Sequence, residues 1–398
     1  MKTGSIQPRP CFLFAALAVL LFLAQFTQAQ TFTVVYNFTG GSDGGDSTAG
    51  LINVSGNFFG TTTEGGAYGY GVVFGISPTG QERVVYSFTG GADGATPQSG
   101  LLSIDGYLLG TTSAGGASGA GTVFAITPQH KEVVLHSFTG GADGSSPQGG
   151  LIMDASGNLY GTTFSGGASG NGTVFELIRP KVKSGAWTEQ VLYSFGTGND
   201  GANPVAGVTL DKAGNLYGTT SVGGAYSYGT VFQLTHSSSG WTENVLYQFQ
   251  LEDDGGTPWA GVILDASGNL YGATTQGGWG EDGGGTVFKM SPSGSGWSFE
   301  VIDVLLGWSI SGTERNLVMA KGTIFATTHC DGAYTAGTAY ELSPSGSSWT
   351  YTELYTFTGG ADGLYSVSTP MVDKQGNLWG TTRYGGANGW GVVFKIKL

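Results

Sequence analysis

The sequence predicts an all-β fold: a seven-bladed β-propeller of four-stranded blades, closed by the N-terminal strand completing the last blade. Three observations predict it. The phrase Gly-Asn-Leu-Tyr-Gly-Thr-Thr recurs seven times with variations. Its glycine before the Thr pair stands at 60, 110, 161, 218, 272 and 380, and Ala326 takes that place in a worn sixth copy. Each period holds four short apolar runs separated by turn residues, and a spacing of about 50 residues suits a propeller blade. Finally, the chain stops on a third-type run, Gly391 to Ile396, and opens on a fourth-type run, Val34 to Phe38. One end supplies what the other lacks, and closure hides the sheet edges that would otherwise template aggregation.

In chain order, residues 1–29 read as a secretory signal peptide. Lys2 and Arg9 precede a compact apolar run, Phe12 to Ala24, and Thr27-Gln28-Ala29 offers a small-residue cleavage site. The run is short for a membrane span, and no second one follows it. The expectation is a secreted or cell-surface protein, without a span after signal removal, whose propeller occupies 31–398. Cys11 leaves with the signal, so Cys330 remains alone and no internal disulfide forms. Formal charge is −13, and −15 without Lys2 and Arg9. Such an acidic chain is a poor partner for nucleic acid or anionic membrane.

The third repeat shows the blade. Leu151 to Met153 is the first run, and Asp154 to Asn158 is turn chemistry. Leu159 to Phe164 is the second run, Gly166 to Gly172 a glycine-rich connection, and Thr173 to Leu177 the third run. Gln190 to Phe195 is the fourth, with Val191, Tyr193 and Phe195 on one face. No helical period is sustained anywhere, which removes the helical-repeat arrays.

An up-and-down blade sorts its loops onto two faces. One face collects the Asp-Gly segments that join blades and the Gly-Gly-Ala loops. The other collects the Asp-x-x-Gly-Asn turns and the stretches carrying Trp187, Trp241, Trp297 and Trp349. The Asp-Gly segments, such as Asp93-Gly94, offer mainly one carboxylate each. That suits a tight turn better than a calcium site, so neither metal nor cofactor is expected. The Thr pairs recur too regularly for an active site and read as architecture. The Gly-Gly-Ala loops carry Tyr68, Tyr70, Tyr226, Tyr228, Trp279, Tyr334, Tyr384 and Trp390. Exposed aromatics on a glycine-rich surface stack on sugar rings or clasp peptides, and these are the candidate ligand-binding residues. The alternative is that each packs on its neighbouring blade.

The sixth repeat departs from the pattern. Its Asp-Gly segment is lost in Leu306 to Ser309, and its Gly-Gly pair has become Asp331-Gly332 behind His329 and Cys330. Glu281, His329 and Arg383 fall towards one face and are the candidate catalytic residues. A Cys-His nucleophile requires His329 and Cys330 to meet, and they diverge if a strand runs through them. His130, His136 and His236 have no partner motif.

The repeated Asp-x-x-Gly-Asn-Leu-Tyr-Gly-Thr-Thr, Gly-Gly-Ala, Gly-Thr-Val-Phe and Val-Leu-Tyr-Ser-Phe resemble the GloVer-type choice-of-anchor tandem-repeat family of exported bacterial proteins, over residues 31–398. The resemblance implies export and repeat architecture, and no activity. The expected function is a monomeric binding or cell-surface interaction module whose partner is a glycan or extracellular protein, held on the Gly-Gly-Ala face. The alternatives are an extracellular hydrolase or lyase acting on a polysaccharide, and a purely structural repeat protein.

Overall fold

The computed structural model describes residues 30–182, 185–196, 198–278, 283–294, 296–305, 312–315 and 317–398. The signal-peptide segment therefore lies outside the described residues. Within them, strands form seven four-stranded antiparallel sheets, one per repeat, and no helix. The first blade is typical: Ile52–Val54, Asn57–Thr62, Val72–Ile76 and Glu82–Ser87 pair in sequence order. The last blade takes its outer strand from the other end of the chain. Thr31–Asn37 pairs antiparallel with Val392–Lys397, from Thr31 opposite Lys397 to Asn37 opposite Val392. Closure by the N-terminal strand is thus observed.

The strands form because branched and aromatic residues fill both faces of stacked sheets. Second and third strands are buried almost throughout, as in Val72–Ile76. Neighbouring blades are joined by aromatic pairs. At most seams the Phe after the outer strand meets the Phe of the next blade's third strand edge-on: Phe38 with Phe74 at 5.1 Å, Phe88 with Phe124 at 5.0 Å, Phe357 with Phe394 at 5.1 Å. Such edge-to-face contacts add to area burial. They also explain the glycine before each Thr pair: a Cβ on Gly60 would come 2.8 Å from Phe74 Cζ. The sixth blade solves the same space differently. Ala326 stands there opposite Tyr340, whose ring stacks on Tyr351 and whose hydroxyl bonds Thr313 Oγ1 at 2.8 Å.

Both turn readings hold. Asp43 Oδ2 accepts from Thr39 N and Tyr36 Oη, and Gly44 is left-handed at φ 89°. The set repeats at Asp93 and Asp362, and His136 takes the tyrosine's place, 3.4 Å from Asp143. The Thr pairs are architectural. The first Thr of a pair donates its hydroxyl to the backbone carbonyl just before the next blade's inner strand: Thr61 to Ser99, Thr111 to Gly149, Thr162 to Ala206, Thr219 to Ala260, Thr327 to Ser368 and Thr381 to Ala49. Six of seven seams carry this bond. The seam between blades five and six does not, because Ala273 replaces the threonine.

Candidate functional site

In a repeat protein, chemistry that recurs in each blade is architecture, and chemistry that does not recur marks a site. Among the described residues this distinction singles out the junction of blades six, seven and one, on the face with the Gly-Gly-Ala loops. His329 and Arg383 occupy the same register position in successive blades, directly after the Thr pair. In blades one, two, four and five this position is Thr63, Ser113, Ser221 and Thr275, each bonding a carbonyl of the inter-blade segment. Blade three carries Phe164 here, and the departures in blades six and seven bring charge instead.

Arg383 spans the closing seam and grips Asp46 with two parallel bonds, Nε to Oδ1 at 2.7 Å and Nη2 to Oδ2 at 3.0 Å. This fork geometry is the strong form of the pair. The hydrogen bond to Asp46 outweighs burial and holds the guanidinium firmly protonated. Its plane also lies over the Tyr384 ring at 5.2 Å.

His329 lies past the end of its strand, Thr323–Thr327, in a bend. Strand alternation therefore does not splay it from Cys330, whose side chain acts on the imidazole electrostatically. Its Nδ1 lies 2.5 Å from Glu314 Oε1, and its ring stands edge-on to Tyr365 at 4.3 Å. Burial opposes protonation of this imidazole, but Cys330 and the Glu314 carboxylate outweigh it and raise the pKa to about 9. His329 is thus a cation at neutral pH. Arg315, beside Glu314, is the third cation. The other described Lys and Arg residues sit on, or lead into, the turns and hairpins of the opposite end. The sequence signal that could have found Glu314 and Arg315 is their position. They stand where the other blades carry small or uncharged residues before the inner strand.

The candidate ligand aromatics divide. Tyr68, Tyr226 and Tyr334 stand out at loop tips, 51–61% exposed. They belong to blades one, four and six, so they are spread around the rim. Tyr70 lies over Gly90, Trp390 over Gly40 and Gly45, and Tyr228 against Gly256. Tyr384 is half-buried beside Arg383. Trp279 and Glu281 fall outside the described residues.

A larger cavity, about 530 Å³, opens on the opposite face between blades five and six, with Trp349, Tyr271, Asp265 and Lys289 on its walls. Its parts recur. Asp265 is saturated by Ser267 N, Asn269 N, Asn269 Nδ2 and Tyr271 Oη. Asp211 and Asp373 are bonded in the same manner. Trp349 meets Tyr271 as Trp297 meets Tyr217, both at 5.9 Å. The described residues contain no cluster of three or more His, Cys, Asp or Glu side chains able to hold a metal ion. No described helix is long and apolar enough to cross a membrane.

The Gloeobacter/Verrucomicrobia repeat model matches residues 22–184 and 181–394. No curated protein matches this chain. Among solved structures, the extracellular domain of BT4673 from B. thetaiotaomicron is similar with a TM-score of 0.58 and 10% identity, over 92% of this chain and 40% of that one. This chain therefore spans less than half the length of that relative. A polysaccharide lyase of the PL25 type, an ulvan lyase bound to -[GlcA(1-4)Rha3S]-, is similar with a TM-score of 0.53 and 12% identity, over 90% of this chain and 94% of that one. Puromycin hydrolase follows at 0.52 and 12%, over 85% and 50%. At these identities the likeness is one of fold.

Proposed function

This chain belongs to the Gloeobacter/Verrucomicrobia repeat family, and we propose that it is an exported binding module that holds a glycan on the face of its Gly-Gly-Ala loops. The signal-like residues 1–29 support export. The observation that carries the binding reading is the gathering, among the described residues, of three cations that the repeat does not carry elsewhere in one place on one face. Arg383, Arg315 and His329 gather at the junction of blades six, seven and one, while Tyr68, Tyr226 and Tyr334 offer bare rings on the same face. Aromatic rings and fixed cations are the groups that recognise saccharides with acidic substituents. The saccharide bound to the ulvan lyase of similar fold is compatible with this chemistry.

The test is a glycan array probed with the purified protein and with a Tyr68→Ala, Tyr226→Ala, Tyr334→Ala triple variant. Binding by the parent that drops at least tenfold in the variant is expected. Unchanged binding in the variant removes the tyrosines from the reading, and an array without any signal removes the reading itself.

The polysaccharide hydrolase or lyase reading has one observation in its favour: His329 pairs with Glu314 under the electrostatic influence of Cys330. A general base needs a pKa near the working pH. An imidazole with a pKa of about 9 carries its proton at neutrality, so it suits ligand binding better than proton abstraction.

A further inference from the structure

The residue whose carbonyl receives each inter-blade threonine bond is small in six blades: Ala49, Ser99, Gly149, Ala206, Ala260 and Ser368. In the sixth blade the same position, two residues before Leu317 as Ala49 is two before Leu51, is Arg315. The threonine that would have pointed at it is Ala273. Both departures from the repeat thus meet at one seam. Arg315 reaches into a cavity of about 200 Å³ on the ring axis, whose walls come from five other blades. Those walls are glycine backbone, from Gly50, Gly100, Gly150 and Gly207, with the uncharged Gln98 and Gln148. The inter-blade segments lining it belong to the Gly-Gly-Ala face, so the cavity lies at that end of the axis.

Arg315 lacks the partner that its surroundings call for. Its Nε is buried with no hydrogen-bond acceptor. The nearby carboxylates are engaged, Asp46 by Arg383 and Glu314 by His329. Among the described residues two carboxylates thus face three cations, and Arg315 is the cation left without a hydrogen-bonded carboxylate. Burial of an uncompensated charge is costly, and burial disfavours the charged form of this guanidinium. A guanidinium fork matches the planar edge of a carboxylate and the oxygens of a sulfate.

We propose that the axial cavity is an anion-binding site, with Arg315 as its cation, that takes one carboxylate or sulfate group of an acidic saccharide. The saccharide clause rests on the glycan reading above, whereas the anion site stands on the cavity and its unpaired guanidinium. The glycine-built wall leaves room for one small oxyanion, and among the described lining residues Arg315 is the sole cation.

The experiment is isothermal titration of the purified protein with sodium sulfate and with sodium glucuronate, at matched ionic strength in sodium chloride, with glucose as the neutral control. Parallel titrations use Arg315→Gln and an Ala273→Thr, Arg315→Ser double variant. The double variant gives the odd seam the residue types of the other six and guards against mere misfolding, since Ala273 faces Val287 as Thr111 faces Val123. Saturable binding of at least one anion, weakened tenfold or more in Arg315→Gln and lost in a double variant that melts no lower than the parent, is expected. Glucuronate alone identifies a uronate, and sulfate alone a sulfate ester. Equal anion binding by parent and Arg315→Gln, or none by the parent, overturns the site. Glycan-array binding that ignores Arg315 removes the saccharide clause and leaves the module. Anion binding without any array signal keeps the site and removes the glycan.

Discussion

Arg383 and Asp46 are the residues through which the candidate binding face and a structural seam coincide. Asp46 is nearly sealed, with 6% of its side chain exposed, so truncating its partner leaves a buried carboxylate unpaired. Arg383→Ala is expected to lower stability by about 2–4 kcal/mol, read by guanidinium unfolding. Asp46→Ala combined with it should cost less than the two single changes together. A cost near zero for Arg383→Ala would mean that water replaces the guanidinium. His329 and Arg383 were legible in the sequence because they interrupt a phrase repeated in each blade. Glu314 and Arg315 were not, because the Asp-Gly marker that anchors the alignment of the other inter-blade segments is missing from the sixth. The influence of Cys330 on His329 was also out of reach, since it depends on the strand ending at Thr327.

At the scale of the element, the blade was readable almost entirely. Runs of Val, Phe, Leu and Tyr at strand spacing, divided by Asp-x-x-Gly-Asn and Gly-Gly-Ala, gave four strands and their order. What the sequence could not give was the partner of each Thr hydroxyl, because that partner lies in the next blade, 38 residues on for Thr61 and 41 for Thr219. These bonds make each blade depend on its neighbour. Thr219→Val keeps the side chain's shape and removes the 2.8 Å bond to the Ala260 carbonyl. The expected loss is about 1–2 kcal/mol, measured as a shift of the denaturant midpoint at constant slope. Thr209→Val removes a second bond across the same seam, from the Thr209 hydroxyl to the Val262 carbonyl, and should add to the loss.

At the scale of the whole molecule, the outer strands of the first four blades carry Glu82, Glu132, Glu189 and Glu243. Burial, reinforced by Asp43, Asp93, Asp143 and Asp200 respectively, pushes each up to about 7. The folded chain therefore keeps protons that the unfolded chain has released above about pH 4.5, so their contribution to stability is present below that pH and is lost as pH rises through 7. His329, raised to about 9, has the same sign at higher pH, with its contribution lost as pH passes about 9. Asp93, Asp211, Asp265 and Asp373 act oppositely. Burial alone would raise them, but hydrogen bonds hold them below the ordinary aspartate value, so acid removes what they contribute. Melting temperature should peak near pH ~4–5 and fall towards pH 9. Changing the four glutamates to Gln should flatten the decline between pH 5 and 7, and an unaltered profile would show that these carboxyls titrate normally. The pairing of Thr31–Asn37 with Val392–Lys397 carries a consequence for biogenesis. The earliest stretch of the propeller to be synthesised is the last to find its mate, and no nascent length short of the final strand can be finished. A polypeptide not yet carrying Val392–Lys397 leaves the backbone edge of Thr31–Asn37 without its mate, open to any other strand it meets.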